Sequence, residues 1–318
     1  MRKVWCILFS LSAIVLYGQQ QVQFSQFMLN KYGFNPAYGG MDRSLSLSLM
    51  YRDQYSSLTG NPKNFNLSGH TPFYIWNGAI GFQLSNQSIG QFNHSALSLS
   101  YNYVMNTDIG FLSFGGRAGG EFTQVNGQSL ITPEGNYEGS VNHNDPLLDN
   151  MPFTGFGLTW QAGVYFYNNT MEAALSLGEV PSLAYRLGQA TFSRNQFCNA
   201  FFEYKYPLSR LSSISTGMFA KTDFIHVQTD AYMLYRSEGG LIGGIAVRGY
   251  DAGSLDAVAL IIGSRINQHF VLSYSYDIGL SGLRKVNEGS HEVILSYNLN
   301  KLVGIGLPPK VIYNPRYL

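Results

Sequence analysis

The sequence predicts an all-β protein: an antiparallel transmembrane barrel of about fourteen strands in an up-and-down meander. Three observations carry this. Apolar and polar residues alternate with period two along nearly the whole chain after residue 40, the pattern of a wall with one face in lipid and one in a lumen. Charged residues are 12% of the 318, against about 25% in an average soluble domain, while aromatic residues reach 14%. Beyond the first residues, no apolar run approaches the roughly 20 residues that a spanning helix needs.

The N-terminus reads as an export signal. Arg2 and Lys3 precede a mostly apolar stretch from Val4 to Leu16, and Gly18 offers a small residue for cleavage, so residues 1–18 form a signal peptide and the mature chain begins near Gln19. Ser10 and Ser12 interrupt the stretch, which is too short to anchor. Cys6 lies too early for lipid attachment. Loss of Arg2 and Lys3 turns 20 basic and 19 acidic residues into 18 and 19, a net charge of −1, which implies no nucleic-acid partner. Cys198 is then the only cysteine, so no intramolecular disulfide forms in a compartment that would permit one. Stability must come from packing and backbone pairing. A soluble β-sandwich would carry more surface charge.

The first strand places Leu45, Leu47, Leu49 and Tyr51 on one face and Ser44, Ser46, Ser48 and Arg52 on the other. In a later one, Leu97, Leu99, Tyr101 and Tyr103 oppose Ala96, Ser98, Ser100 and Asn102. In the sixth, Phe156, Leu158, Trp160, Ala162, Val164 and Phe166 oppose Gly157, Thr159, Gln161 and Gly163. Turn signals separate strands expected at 43–54, 63–74, 76–86, 94–105, 109–125, 154–168, 170–178, 190–206, 211–223, 225–236, 240–250, 255–265, 268–279 and 290–302. An even count brings both ends to the periplasmic side. The interruption at 126–151, with Pro133, Gly135, Gly139 and Pro146, follows an odd-numbered strand and is expected to be an extracellular loop. The organisation is therefore an N-terminal periplasmic or lumenal segment at 19–40, a barrel at 41–302 and a tail at 303–318.

No motif requires catalysis, a metal or a cofactor. The runs Gly115-Gly116-Arg117-Ala118-Gly119-Gly120 and Gly239-Gly240-Leu241-Ile242-Gly243-Gly244 match neither dinucleotide nor Walker spacing, and in barrel strands such glycines make room for rings and bends. His70, His94, His143, His226, His269 and His291 lack the paired spacing of a zinc hydrolase helix. Asn142, His143, Asn144, Asp145 and Asp149 offer oxygen ligands for calcium without the standard loop pattern, which favours a solvated loop. No Gly-x-Ser-x-Gly elbow occurs. Strand parity does nominate a lumenal polar set: Arg52, Gln54, Asn102, Gln161, Glu172, Asp230, Arg236, Asp277 and Glu292. Its plain role is internal ion pairing in a filled or narrow barrel; its functional role would be to grip a peptide or line a solute path.

The segment Gln23-Phe24-Ser25-Gln26-Phe27-Met28-Leu29-Asn30, followed by Asn35-Pro36-Ala37-Tyr38-Gly39-Gly40, resembles the N-terminal signature of the PorP/SprF family of type IX secretion and gliding-motility membrane proteins. Tyr51-Arg52-Asp53-Gln54 resembles its Arg-x-Gln element, and Ser68-Gly69-His70-Thr71-Pro72 its Ser-x-His-x-Pro. Tyr274-Ser275-Tyr276-Asp277 and Gly289-Ser290-His291-Glu292-Val293-Ile294-Leu295-Ser296-Tyr297 resemble its closing strands. Gly39 departs from an expected Ala, and Tyr55 from an expected Trp. The resemblance implies an outer-membrane component that binds the C-terminal domain of a secreted surface protein, such as an adhesin used in gliding, and retains that cargo at the cell surface. Some members instead resemble general components that contact the periplasmic ring. A third reading, from fold analogy alone, is an outer-membrane solute transporter, since FadL-like fourteen-strand barrels with an N-terminal hatch are a known transporter plan. Outer-membrane lipid is a partner in every case, and an enzyme is the least supported reading.

Two structural expectations complete the sequence reading. The outer loop at 126–151 and the barrel mouth would dock a folded cargo domain. The N-terminal segment, punctuated by Asn35-Pro36 and Gly39-Gly40, would plug the lumen and bring Asn30 beside Asn102.

Overall fold

A computed structural model of the chain describes residues 24–73, 76–126, 152–188, 190–250, 254–280 and 282–303. The strands are β1 (Ser46–Asp53), β2 (Lys63–Phe73), β3 (Gly78–Ile89), β4 (Phe92–Thr107), β5 (Gly110–Val125), β6 (Phe153–Tyr167) and β7 (Met171–Gly178). A small hairpin, β8 (Ala184–Leu187) and β9 (Ala190–Ser193), precedes the second half. That half comprises β10 (Phe197–Ser209), β11 (Ser212–Thr222), β12 (Val227–Ser237), β13 (Leu241–Tyr250), β14 (Ser254–Arg265), β15 (Phe270–Gly279) and β16 (Ser290–Asn298).

All strands but the hairpin form a closed antiparallel wall in which sequence neighbours pair, β7 pairs with β10, and β1 pairs with β16 to complete the circle. The wall therefore has the fourteen strands that the alternation predicts. Closure matters energetically, because an unpaired backbone group in hydrocarbon costs several kcal/mol, on the order of a whole lost hydrogen bond. No helix of the described residues is long and apolar enough to cross a membrane. The connections at 108–109, 168–170, 210–211, 238–240 and 266–269 are tight, whereas those at 126–152, 179–196 and 280–289 are long. Barrels keep tight turns in the periplasm and long loops outside, so the end where the chain enters β1 and leaves β16 is periplasmic.

Parity sorts the side chains as anticipated. Leu97, Leu99, Tyr101 and Tyr103 of β4 and Phe156, Leu158 and Val164 of β6 stand exposed on the outer face, where lipid covers them, while Ser98, Asn102 and Gln161 are buried. One boundary differs in kind. The strand expected at 190–206 is two elements: Ala190–Ser193 belongs to the hairpin, and the wall begins again only at Phe197. Alternation runs through both because a hairpin arm and a wall strand share the period of two; only their hydrogen-bond partners tell them apart. The last strand ends at Asn298 instead of 302. The signal peptide at 1–18, most of the loop at 126–151 with its Asn142–Asp149 cluster, and the tail from 304 lie outside the described residues.

The interior is not empty. Residues 24–42 form a compact plug: a 3-10 turn Phe27–Leu29, one helical turn α1 (Lys31–Phe34) and a second 3-10 turn Pro36–Tyr38. Asn30 caps α1 by accepting the Gly33 N–H, and Asn35 caps the next turn by accepting the Ala37 N–H at 2.9 Å, with Pro36 as the first residue of that turn. Such short turns have no intrinsic stability in water. Tertiary burial supplies it.

Candidate functional site: the plugged lumen

The plug lies along the barrel axis and is gripped at three levels. Nearest the extracellular end, Ser25 and Gln26 meet a charged cluster. Register sets Arg52 of β1 directly opposite Glu292 of β16, with Asp277 on the adjoining β15. The Arg52 guanidinium, fully buried, donates to Asp277 at 2.6 Å, to Glu292 at 3.0 Å and to the Ser25 hydroxyl at 2.9 Å. Glu292 in turn accepts the Ser25 and Gln26 backbone N–H groups at 2.8 and 2.9 Å. Arg248 adds a bond to the Ser25 hydroxyl at 2.8 Å and lies 3.5 Å from Asp277 and 3.7 Å from Asp230. Glu292 thus satisfies wall and plug together.

At mid-height the grip is aromatic and backbone-directed. Phe27 stacks on Phe219 at 4.8 Å and meets the Tyr232 ring edge-on at 5.4 Å, and Phe34 packs on Phe201 and Phe219. Full burial of rings and thioethers such as Phe27 and Met28 contributes about 1.5–3 kcal/mol each. Arg117 donates to the carbonyls of Tyr32 and Gly33 at 2.6 and 3.2 Å and stacks over the Tyr32 ring. Gln161 donates to the Phe34 carbonyl at 2.6 Å, and Asn35 donates to the carbonyls of Val164 and Leu175. Two inward glycines make this approach possible. A Cβ on Gly115 would meet the Ala37 backbone at 2.6 Å, and one on Gly163 the Asn35 side chain at 2.1 Å.

Nearer the periplasm, Lys31 reaches Glu172 of β7 at 2.9 Å and Glu203 of β10 at 2.8 Å, with all three buried. Tyr165 donates to Glu172, and Tyr232 to Glu203. Asn102 donates to the Gly39 carbonyl at 2.9 Å, and the Gly40 N–H donates to His70. Below the plug, a cavity of about 180 Å³ reaches the periplasmic rim, lined in part by Lys31, Glu203, Lys205, Arg236 and Asn298.

The nine residues nominated by parity fall into distinct groups. Arg52, Asp230, Asp277 and Glu292 form the upper cluster, Asn102 and Gln161 hold plug carbonyls, and Glu172 holds Lys31. Arg236 is half-buried, donates to Ser215 and lines the lower cavity. Gln54 is buried beyond the end of β1, where its backbone bonds Pro62 and Asn61, apart from these groups. Sequence reasoning passed over Arg117, Glu203 and Arg248, which the same parity would have nominated; Glu203, for instance, lies between outward Phe202 and Tyr204. It also passed over Ser25, Gln26 and Lys31, whose segment has no period. The expected neighbour of Asn30 is corrected: Asn30 donates to Met50 and Ser68, while Asn102 holds Ala37 and Gly39. Among the described residues, no group of three or more His, Cys, Asp or Glu could hold a metal ion.

Lys31→Met tests the lower grip. It removes the ammonium that bridges Glu172 and Glu203, and breaking a buried pair in this way costs about 3–5 kcal/mol. The variant should lose its folded, heat-modifiable gel mobility at a lower temperature, and adding Glu172→Gln and Glu203→Gln should recover most of the loss. Gly115→Val tests the fit: it should loosen the plug, read as faster proteolysis within 24–42, with the barrel band retained.

A closed antiparallel barrel with an outward apolar face and a charge-paired plug defines an outer-membrane β-barrel protein. The family of type IX secretion system membrane proteins PorP/SprF matches residues 16–297, and the chain belongs to that family. No curated protein matches the chain significantly. Among solved structures it is similar to the Ralstonia pickettii toluene transporter TbuX, with 8% identity, 86% of this chain and 93% of that one covered, and a TM-score of 0.52. It is also similar to the CymD monoaromatic hydrocarbon channel, with 12% identity, 86% and 92% covered, and a TM-score of 0.50. At these identities the likeness is one of fold.

Proposed function

We propose that this barrel is a sealed docking platform of the type IX secretion system. It binds the C-terminal domain of a secreted, adhesin-like surface protein at its extracellular side, supports the export of that cargo and retains it at the cell surface, in the service of gliding. The family supports the secretion context. The observation that carries the reading is the occupied lumen: a segment of the same chain fills it, held by the Lys31 ion pairs nearer the periplasm and by hydrogen bonds to the buried Arg52–Glu292 cluster above.

The toluene transporter and the hydrocarbon channel named above invite a transport reading, but their likeness is one of fold. Arg52, Asp277, Glu292, Lys31, Glu172 and Glu203 would make a poor route for a hydrocarbon, and the plug crosses the route a polar solute would take. With passage blocked, the surfaces left for function are the rims. The long extracellular connections are the natural place for a folded partner.

The test is affinity purification of the tagged barrel from native outer membranes in mild detergent, with mass spectrometry of what accompanies it. A large surface protein, retained through its C-terminal domain and lost when that domain is deleted, is the expected result. Periplasmic ring subunits in its place would assign a general role in the machine. A barrel that comes alone and conducts solutes in a planar bilayer would return the reading to transport.

A further inference from the structure

The cations inside the barrel and at its mouth are partnered in different ways. Arg52, Arg248, Arg194 and Lys31 each lie within ion-pair distance of two carboxylates. Arg117 holds two carbonyls of the plug. Arg236 of β12 has neither kind of partner. Half-buried below the plug, its guanidinium makes one hydrogen bond, from Nη1 to the Ser215 hydroxyl at 2.8 Å, and among the described residues no carboxylate lies within ion-pair distance of it. Glu203 is engaged elsewhere, one oxygen accepting the Lys31 ammonium and the other the Tyr232 hydroxyl. The remaining N–H groups of Arg236 therefore open on the cavity of about 180 Å³ that it lines. Register brings a second cation close: Lys205 of β10, which also lines the cavity, stands opposite Ser215 on β11, the residue that holds Arg236.

We propose that this periplasmic cavity is a binding site for a phosphate-type oxyanion, with Arg236 as its principal ligand. On the side of β7 to β12 the lining carries three cations, Lys31, Lys205 and Arg236, against two carboxylates, Glu172 and Glu203, an excess of one positive charge. The remaining carboxylate of the lining, Asp42, stands across the lumen, where it accepts the Ser46 and Tyr38 hydroxyls and faces His70. A guanidinium fork matches two oxygens of an oxyanion, and such charge-assisted bonds are the strong ones. A planar carboxylate is satisfied by the fork alone. A tetrahedral anion has oxygens left over, and the cavity supplies donors for them: the Lys205 ammonium, and the hydroxyls of Ser48, Ser273 and Ser296 on the facing wall. The Ser48 hydroxyl is buried and bonds no protein group. With about 30 Å³ as the share of one water, the cavity has room for a phosphate group and several waters. Free phosphate of the periplasm and the headgroup of a lipid at the periplasmic rim share this chemistry. The site lies below the plug, so it stands apart from what the extracellular rim binds.

The experiment titrates the purified full chain, in detergent and at constant ionic strength in chloride, with inorganic phosphate. One saturable site is expected, and the folded gel mobility should survive to a higher temperature as phosphate is added, because a ligand of the folded state alone stabilises it. Arg236→Gln should weaken phosphate binding on the order of tenfold, the loss of charge-assisted hydrogen bonds, with the folded mobility retained. If the amide disturbs that mobility, Arg236→Lys keeps the charge and loses only the fork, and should still weaken binding several-fold. Arg210→Gln, which removes an exposed cation from the turn between β10 and β11, should leave binding as it was. A short-chain, water-soluble phosphatidic acid that binds more tightly than inorganic phosphate assigns the anion to a lipid headgroup; one that binds no more tightly assigns it to free phosphate. Absence of saturable binding by the unmodified barrel, full binding by the Arg236 variants, or an equal loss in Arg210→Gln overturns the site.

Discussion

Removal of residues 24–42 should convert a barrel that holds a voltage across a planar bilayer without current into one that conducts in discrete steps. Above the periplasmic cavity this segment fills the lumen level by level: Ser25 and Gln26 against Glu292, Phe27 and Phe34 against the rings of β10, β11 and β12, Lys31 against Glu172 and Glu203, and Gly39 against Asn102. With it gone, the charged wall would hydrate and carry ions. A cysteine pair at Asn30 and Ser68, whose side chains already hydrogen bond at 3.2 Å, supplies the complementary arm. In the full chain, its disulfide should keep the barrel sealed under conditions that loosen the plug, and reduction should remove that protection. An undiminished electrical seal after deletion, with the barrel still folded by gel mobility, would refute the plug.

The second large effect is expected at Arg52. Replacement by methionine strands Asp277 and Glu292 side by side without their shared cation, and losing one member of a buried charge group costs about 3–5 kcal/mol. The loss is structural as well as electrostatic, since Arg52 also holds the Ser25 hydroxyl. Arg52→Met should therefore lower the temperature at which the heat-modifiable band disappears and expose the plug to protease. Combining it with Asp277→Asn and Glu292→Gln should recover much of the barrel's thermal stability, because neutral partners tolerate the missing cation. The plug should stay loose in the triple variant, because an amide accepts the Ser25 and Gln26 N–H groups more weakly than the Glu292 carboxylate. Thermal stability and plug protection would then separate. If they recover together, the cluster acts on the wall alone.

The lumenal parity of Arg52, Arg117, Glu203, Arg248, Asp277 and Glu292 is a strongly charged one. Such groups are affordable only when each meets a partner, and the plug supplies several of those partners from its own backbone.

What the sequence determined by itself is the wall. Period-two alternation says which residues of a strand face lipid and which face the lumen, and it does so locally: Leu97 and Leu99 against Ser98, or Leu158 and Trp160 against Gln161, are legible from a few adjacent residues. Fourteen strands followed from that pattern and from the turn residues between them. Only the tertiary structure decided what the inward residues do. Arg52 and Glu292 are 240 residues apart and become neighbours because closure pairs the first strand with the last. The plug is a run of single turns with no period, so its fold is written in the contacts it makes and not in its own spacing. The hairpin at Ala184–Ser193 escaped for the same reason: alternation records that a residue is in a strand, while the identity of the partner strand is a property of the assembled sheet.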